Sequence, residues 1–262
     1  MNLKKTSKNQ TGWQRIVTPS ECELKRLGFG ILRLEPDGEF SAKTDNNETV
    51  IVILSGQASF TGNDFCFKKI GSRKDIFSGK PSAIYLPPRT SWTVKALTQM
   101  ECAICEAPCD RQTRPTLITP ENVIEKKIGR SCWSRKAHFI LGDQVDSQNF
   151  FVGETFLEPG QWAFPPHRHD VNNLPEEVEM DEIYHFRLKP ENGFGVQLVY
   201  NDDKTRDEAF VVRNGDTIAL PEGYHPVSAS PMDSVYILWM LAGPQRFFKS
   251  KVDDQYRDAL AP

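Results

Sequence analysis

Short runs of β-branched and aromatic residues, each closed by Gly, Pro, Asn or Asp, recur about every ten residues along this chain, and helical spacing of apolar positions is scarce. The pattern predicts an all-β protein. Expected strands are Gly28 to Leu34, Thr49 to Leu54, Ala83 to Leu86, Trp92 to Ala96, Glu101 to Ala107, Phe150 to Leu157, Glu182 to Leu188, Gly195 to Tyr200, Ala209 to Val212, Thr217 to Leu220 and Ser234 to Met240.

The strands fall into two similar sets. Leu34-Glu-Pro-Asp-Gly38 matches Leu157-Glu-Pro-Gly160, and each match precedes a strand that begins with Glu, at Glu48 and at Glu182. Ala83-Ile-Tyr-Leu-Pro-Pro-Arg-Thr-Ser91 then aligns with Thr217-Ile-Ala-Leu-Pro-Glu-Gly-Tyr-His225. Three matches in the same order imply two β domains of one plan. The divide is placed at residues 1–118 and 119–262, with Pro108 to Thr119 as linker.

At 262 residues and 39% hydrophobic content the chain can bury two medium cores. A formal charge of −3, spread over mixed acids and bases, lacks the basic face that nucleic acid or an anionic lipid surface would attract, so the partner expected is a small molecule. The N-terminus has no apolar run after its lysines, and no stretch is long and apolar enough to cross a membrane, which favours a cytoplasmic location. Six scattered cysteines suit reduced thiols. The cluster Cys102, Cys105, Cys109 has no second pair or nearby His and is read as core thiols.

All five histidines, His138, His167, His169, His185 and His225, stand in the second half. His167 and His169 are two apart, so an extended chain points both to one face, and Pro165-Pro166 fixes the backbone before them. If that face is the barrel lumen, His225 can supply a third imidazole and an acid a fourth ligand. Glu176, Glu177, Glu179, Asp181 and Glu182 are all near. Glu182 is chosen because it opens a strand in the repeated frame, at the place matched to Glu48, which leaves the acids from Glu176 to Asp181 as a solvated loop. Strand alternation puts Tyr184 and Phe186 on the lumenal side and turns His185 and Arg187 away. The N-terminal domain has Ser91 at the place of His225 and is expected to be metal-free. Zn, Mn, Fe and Ni all suit such a donor set as the single divalent ion.

These residues resemble the cupins, which carry HxH, a Glu and a later Pro-x-Gly before a third His: here His167-Arg-His169, Glu182 and Pro221-Glu-Gly223-Tyr-His225. The long interval after His169 departs from the common cupin form. Together with Pro165-Pro-His-Arg-His-Asp170, Asn173-Leu-Pro-Glu-Glu177, Gln197 to Asp203 and Gly71 to Phe77, it is similar to the 5-deoxy-glucuronate isomerases of myo-inositol catabolism, a bicupin family related to 4-deoxy-L-threo-5-hexosulose-uronate ketol-isomerase. The resemblance implies two tandem cupin (double-stranded β-helix) barrels, an aldose-ketose isomerase acting on a sugar acid, and assembly of copies into an oligomer.

In that reading the ligands are His167, His169, Glu182 and His225, Tyr184 is an acid/base candidate, and the substrate carboxylate is bound by Arg73, Lys74 or Arg187. Two rival readings are a non-catalytic sugar-acid-binding bicupin and a metal-dependent cupin dioxygenase.

Overall fold

A strand whose two faces are both buried reads as a near-continuous apolar run, and the central strands here, Asn47–Ser55, Met100–Pro108, Asp181–Lys189 and Ser234–Ala242, do so because each faces two cores. The computed structural model describes residues 4–260. In the first half a six-stranded antiparallel sheet runs in the order Thr116–Ile118, Ala83–Leu86, Asn47–Ser55, Met100–Pro108, Gly28–Leu34, Gly12–Val17. It is faced by a four-stranded sheet built from Glu39–Lys43, Ser91–Ala96, Ala58–Gly62 and Phe65–Ile70. Leu32, Ile51, Ile53, Phe60, Ile84, Trp92 and Val94 fill the space between them, so the first lumen is a packed core.

The second half repeats the plan with a seven-stranded sheet, ordered Lys4–Thr6, Asp216–Leu220, Asp181–Lys189, Ser234–Ala242, Phe150–Leu157, Arg135–Leu141, Ile124–Ile128. A three-stranded sheet, Asp207–Val212, Gly195–Tyr200 and Val227–Ala229, lies opposite. The pair His167–Arg168 and Lys251–Val252 helps close one end. This is the double-barrel, all-β architecture expected of a bicupin. The chain leaves the six-stranded sheet after Ile118 and enters the seven-stranded one at Ile124. Thr116–Ile118, inside the stretch read as linker, is an edge strand, and Lys4–Thr6 crosses over to pair with Asp216 to Ile218.

The two large sheets pack face to face. Phe29, Val50, Val52, Tyr85 and Ala103 of one meet Val152, Ile183, Tyr236, Leu238 and Met240 of the other in one buried cluster. The larger aliphatic and aromatic side chains among them contribute about 1.5–3 kcal/mol each on burial, so the two halves share a core. Cys102 lies in the first lumen and Cys105 in this shared core, on opposite faces of one strand. Burial pushes both thiols, and that of Cys109, above their ordinary range.

One expectation needs correction. Glu182 pairs across the sheet with Leu220, and the residue that pairs with the matching Leu86 is Thr49, not Glu48. The repeat as read from sequence is one residue out of register, and a slip of one turns a side chain to the other face. Glu48 therefore looks into the seam between halves, where it accepts hydrogen bonds from the Tyr85 hydroxyl (3.1 Å) and the backbone N–H groups of Gln148 (3.0 Å) and Asn149 (3.1 Å). Glu182 looks into the second lumen, on the face it shares with Tyr184 and Phe186, while His185 packs against Phe29 of the first half at 5.1 Å between ring centres.

Candidate metal centre and its cavity

Each of the three lumenal histidines is held by a backbone carbonyl behind it. His167 Nδ1 lies 3.1 Å from Pro165 O, His169 Nδ1 2.9 Å from Met180 O, and His225 Nδ1 2.7 Å from Gly223 O. A carbonyl can only accept, so each Nδ1 carries a proton, and Nε2 is the ring nitrogen turned to the lumen and able to ligate a metal. One ligand atom from each of His167, His169, Glu182 and His225 lies within 4.8 Å of every other, and all four side chains are buried.

The electrostatics show a pocket short of positive charge at its centre. Glu182 Oε2 is approached by His169 Nε2 at 3.1 Å and His225 Nε2 at 3.0 Å. The His225 contact is close but badly aligned, leaving that buried nitrogen without a hydrogen-bond partner. Burial works against the Glu182 charge, yet the two imidazoles outweigh it and hold the carboxyl down at about 2. Burial, with His225 and His169 beside it, pushes His167 well below its ordinary value. Burial also opposes charge on His169, but Glu182 overrides it and raises that ring. A divalent cation satisfies the orphaned nitrogen and removes the need for a proton among the three rings, so the donor set fits a metal ion.

Local sequence explains the convergence. Gly223 has φ +89° and its missing Cβ would stand 2.9 Å from Tyr200 O, so the turn before His225 needs glycine. Its N–H donates to Asp170 Oδ2 at 2.7 Å, which ties the His225 turn to the chain just after His169.

The long interval after His169 is not the solvated acidic loop expected from sequence. Glu176 is exposed, but Glu177 is 1% exposed and accepts from the N–H groups of Asp170 (2.8 Å) and Val171 (3.2 Å). Asp181, also buried, accepts from the N–H groups of Lys25 (2.8 Å) and Arg26 (2.5 Å) of the first half. Carboxylates at chain reversals go inside when backbone donors need them.

A cavity of about 460 Å³ opens in front of His167 and Glu182. Its floor is one face of the seven-stranded sheet, with Arg135, Thr155, Trp239 and Tyr184, and Phe164 and Phe248 form part of the wall. Trp239 lies over Gly153, whose Cβ would be 2.2 Å from the indole, and donates from Nε1 to Thr155 Oγ1 at 3.1 Å. The Tyr184 ring stands 5.9 Å from that of His225. Burial and the adjacent Glu182 carboxylate push its phenol well above the ordinary value, while Arg135 pulls the other way.

The three cations expected at the substrate carboxylate lie elsewhere. Arg73 is sealed in the seam between halves, 3.0 Å from Glu154. Arg187 pairs with Glu101, which also takes Arg33 at 2.6 Å. Lys74 is exposed on the first half. The cavity's own arginine is Arg135, which sequence reasoning passed over; it shares strand Arg135–Leu141 and the lumenal face with Ala137 and Phe139, an alternation hidden because the strand's other face is buried too.

No helix among the described residues is long and apolar enough to cross a membrane. The model of the KduI/IolB family matches residues 2–259. The 5-deoxy-glucuronate isomerase of Geobacillus thermodenitrificans NG80-2 is 36% identical over 252 residues, covering 95% of this chain and 92% of that protein. The 5-deoxy-glucuronate isomerase of Bacillus subtilis 168 is 34% identical over 237 residues, covering 89% and 87%. The crystal structure of an IolB-like protein from Salmonella typhimurium LT2 superposes with a TM-score of 0.95 at 30% identity over 99% of both chains. The oxalate decarboxylase of Lactobacillus farciminis shares the fold, with a TM-score of 0.71 at 12% identity over 100% of this chain and 91% of that one. A match along almost the whole chain, by family model and by relatives above 30% identity, places it in the KduI/IolB family.

Proposed function

We propose that this chain is a metal-dependent aldose-ketose isomerase that converts 5-deoxy-D-glucuronate to 5-dehydro-2-deoxy-D-gluconate in myo-inositol degradation. The observation that carries the reading is the set of three back-anchored imidazoles and one carboxylate at the inner end of a cavity sized for a small sugar acid. The names of the relatives supply the substrate.

Moving a carbonyl from C1 to C2 requires a hydrogen to leave C2 and one to reach C1, while the hydroxyl proton passes from O2 to O1. A bound divalent ion supplies Lewis-acid polarisation of those two oxygens. We assign its ligands as His167, His169, Glu182 and His225, and its identity to Zn, Mn, Fe or Ni. Tyr184 stays a neutral phenol at physiological pH, because burial and Glu182 both oppose its ionisation, and so it serves as a hydrogen-bond donor and proton relay to a substrate oxygen. Trp239, Phe164 and Phe248 keep bulk water from the reacting carbons. Six free cysteines suit a cytoplasmic setting.

An NMR time course of 5-deoxy-D-glucuronate with protein reconstituted in turn with Zn, Mn, Fe and Ni tests the reading. Loss of the C1–H signals with growth of the keto acid, abolished by chelation and in His167→Ala, is expected. No conversion with any of the four ions overturns the isomerase, and conversion that survives both controls overturns the metal's role.

A further inference from the structure

Among the described residues Arg135 makes no ion pair. Its one hydrogen bond, from Nη1 to Trp133 O, is long at 3.4 Å. The other guanidinium groups considered for the substrate already have carboxylate partners outside the cavity: Arg73 has Glu154, and Arg187 has Glu101. A half-buried cation with spare donors, facing a largely apolar cavity, gains a great deal from an anion delivered into that cavity.

Its position relative to the four ligands is set by one ring. Phe164 has its centre 4.5 Å from the His167 ring and 5.0 Å from the Arg135 guanidinium carbon. The guanidinium carbon and the His167 ring centre are therefore no farther apart than those two distances combined, within the combined reach of an extended six-carbon sugar acid and its contacts at either end. Tyr184 lines the same cavity as Arg135, His167 and Glu182. Lys126, the other cation lining the cavity, is exposed and lies with its ammonium 5.3 Å from the Phe139 ring centre, so it reaches solvent freely.

We propose that Arg135 binds the substrate's carboxylate and thereby fixes which end of the sugar acid meets the metal. The assignment rests on the isomerase reading above. In a six-carbon aldehyde acid the carboxylate is C6 and the reacting pair is C1 and C2, at opposite ends of the chain. Holding C6 on Arg135 leaves C1 and C2 at His167, Glu182 and Tyr184, and the reversed orientation would put a carboxylate on the ligand cluster with Arg135 unpaired. Arg135 is on this account the specificity determinant for acids over neutral aldoses: its planar fork matches a carboxylate with two parallel hydrogen bonds, which a hydroxymethyl group does not reproduce.

The test compares metal-loaded wild type, Arg135→Gln and Arg135→Lys on two substrates, 5-deoxy-D-glucuronate and the neutral sugar in which its carboxylate is replaced by hydroxymethyl. Binding of the unreactive acid, its C1 aldehyde reduced to the alcohol, is measured in parallel by isothermal titration calorimetry. The expected result is a loss of about 100-fold in kcat/KM for the acid in Arg135→Gln, little change for the neutral sugar, a similar loss in affinity for the reduced acid, and partial recovery in Arg135→Lys, with metal content unchanged. Equal losses on both substrates, or undiminished binding of the reduced acid, would overturn the assignment. If wild type turns over neither substrate, the isomerase reading fails by itself, and the binding comparison still decides Arg135. Should Arg135→Gln fail to fold, the acid-to-neutral preference of Arg135→Lys decides: a preference equal to wild type's overturns the proposal.

Discussion

Arg73 of the first half and Glu154 of the second form an ion pair at 3.0 Å, with side chains 1% and 0% exposed. Glu154 also accepts from the Tyr236 hydroxyl at 2.9 Å and meets His138 Nδ1 at 2.7 Å, so the pair sits inside a polar network that crosses the seam between barrels. Removing Arg73 leaves the buried Glu154 carboxylate without its guanidinium and held only by Tyr236 and His138, a loss of up to about 3–5 kcal/mol. Arg73→Met is therefore expected to lower the urea midpoint sharply, whereas the folded fraction should bind metal as the wild type does, since Arg73 does not line the cavity. A loss under about 1 kcal/mol in equilibrium unfolding would show that the network is dispensable.

Replacing Glu182 by Gln keeps its shape and removes the charge on which two imidazole nitrogens converge. The metal content after dialysis should fall well below that of wild type, because an amide oxygen is a much weaker ligand for a divalent ion than a carboxylate. Chelating the wild type should lower its Tm by the linkage between binding and folding, and Glu182→Gln should show little further shift on chelation. Stoichiometric metal retained by Glu182→Gln would remove the carboxylate from the ligand set.

How much of this site could be read from the sequence follows from what kind of signal each residue leaves. His167, His169 and His225 are visible because an HxH pair and a His after Gly-Tyr, each commonplace alone, stand together in one repeated strand frame. The match to Glu48 that singles out Glu182 is displaced by one residue, so Glu182 faces the lumen by a register that the sequence match does not show, and Tyr184 follows from it by alternation. Arg135, Glu177 and Asp181 were hidden for another reason: their roles depend on long-range neighbours. A charged residue that ends up inside has the same one-letter signal as one in solvent, and only the packing of Phe164, Asp170 or Lys25 against it tells them apart. Strands such as Glu39–Lys43 and Ile124–Ile128, short and with only two apolar residues each, escaped because so few positions make a weak pattern.

Gly153 gives the cavity floor its depth. A Cβ there would meet the Trp239 ring at 2.2 Å and the carbonyl of His138 at 2.5 Å, and the carbonyl belongs to a paired strand that cannot retreat. In Gly153→Ala the indole must yield, which breaks its bond to Thr155 and drives the ring into the space reserved for substrate. We expect a loss of about 1–3 kcal/mol from overpacking, a shifted Trp emission maximum and a raised KM at near-normal metal content. Unchanged emission and KM together would mean that the floor has slack that the contacts do not reveal.

Glu179 pairs with Lys25 and, at 3.4 Å, with Arg26, joining the loop that follows the His167–His169 pair to the first barrel. The Lys25 ammonium, more than the opposing effect of partial burial, holds the Glu179 carboxyl below its ordinary value of 4.5. A carboxyl depressed in the folded state favours folding at pH values above its unfolded pKa, and that contribution fades as pH falls through the folded value. Wild type and Glu179→Gln should thus differ in Tm by a constant margin from pH 7 down to about 5, and the margin should close as the pH drops further. Lys25 is largely exposed, so the margin should be small and should shrink with added salt. A margin that stays open at pH 3, or widens there, would show that Glu179 acts through packing of the loop and not through its charge.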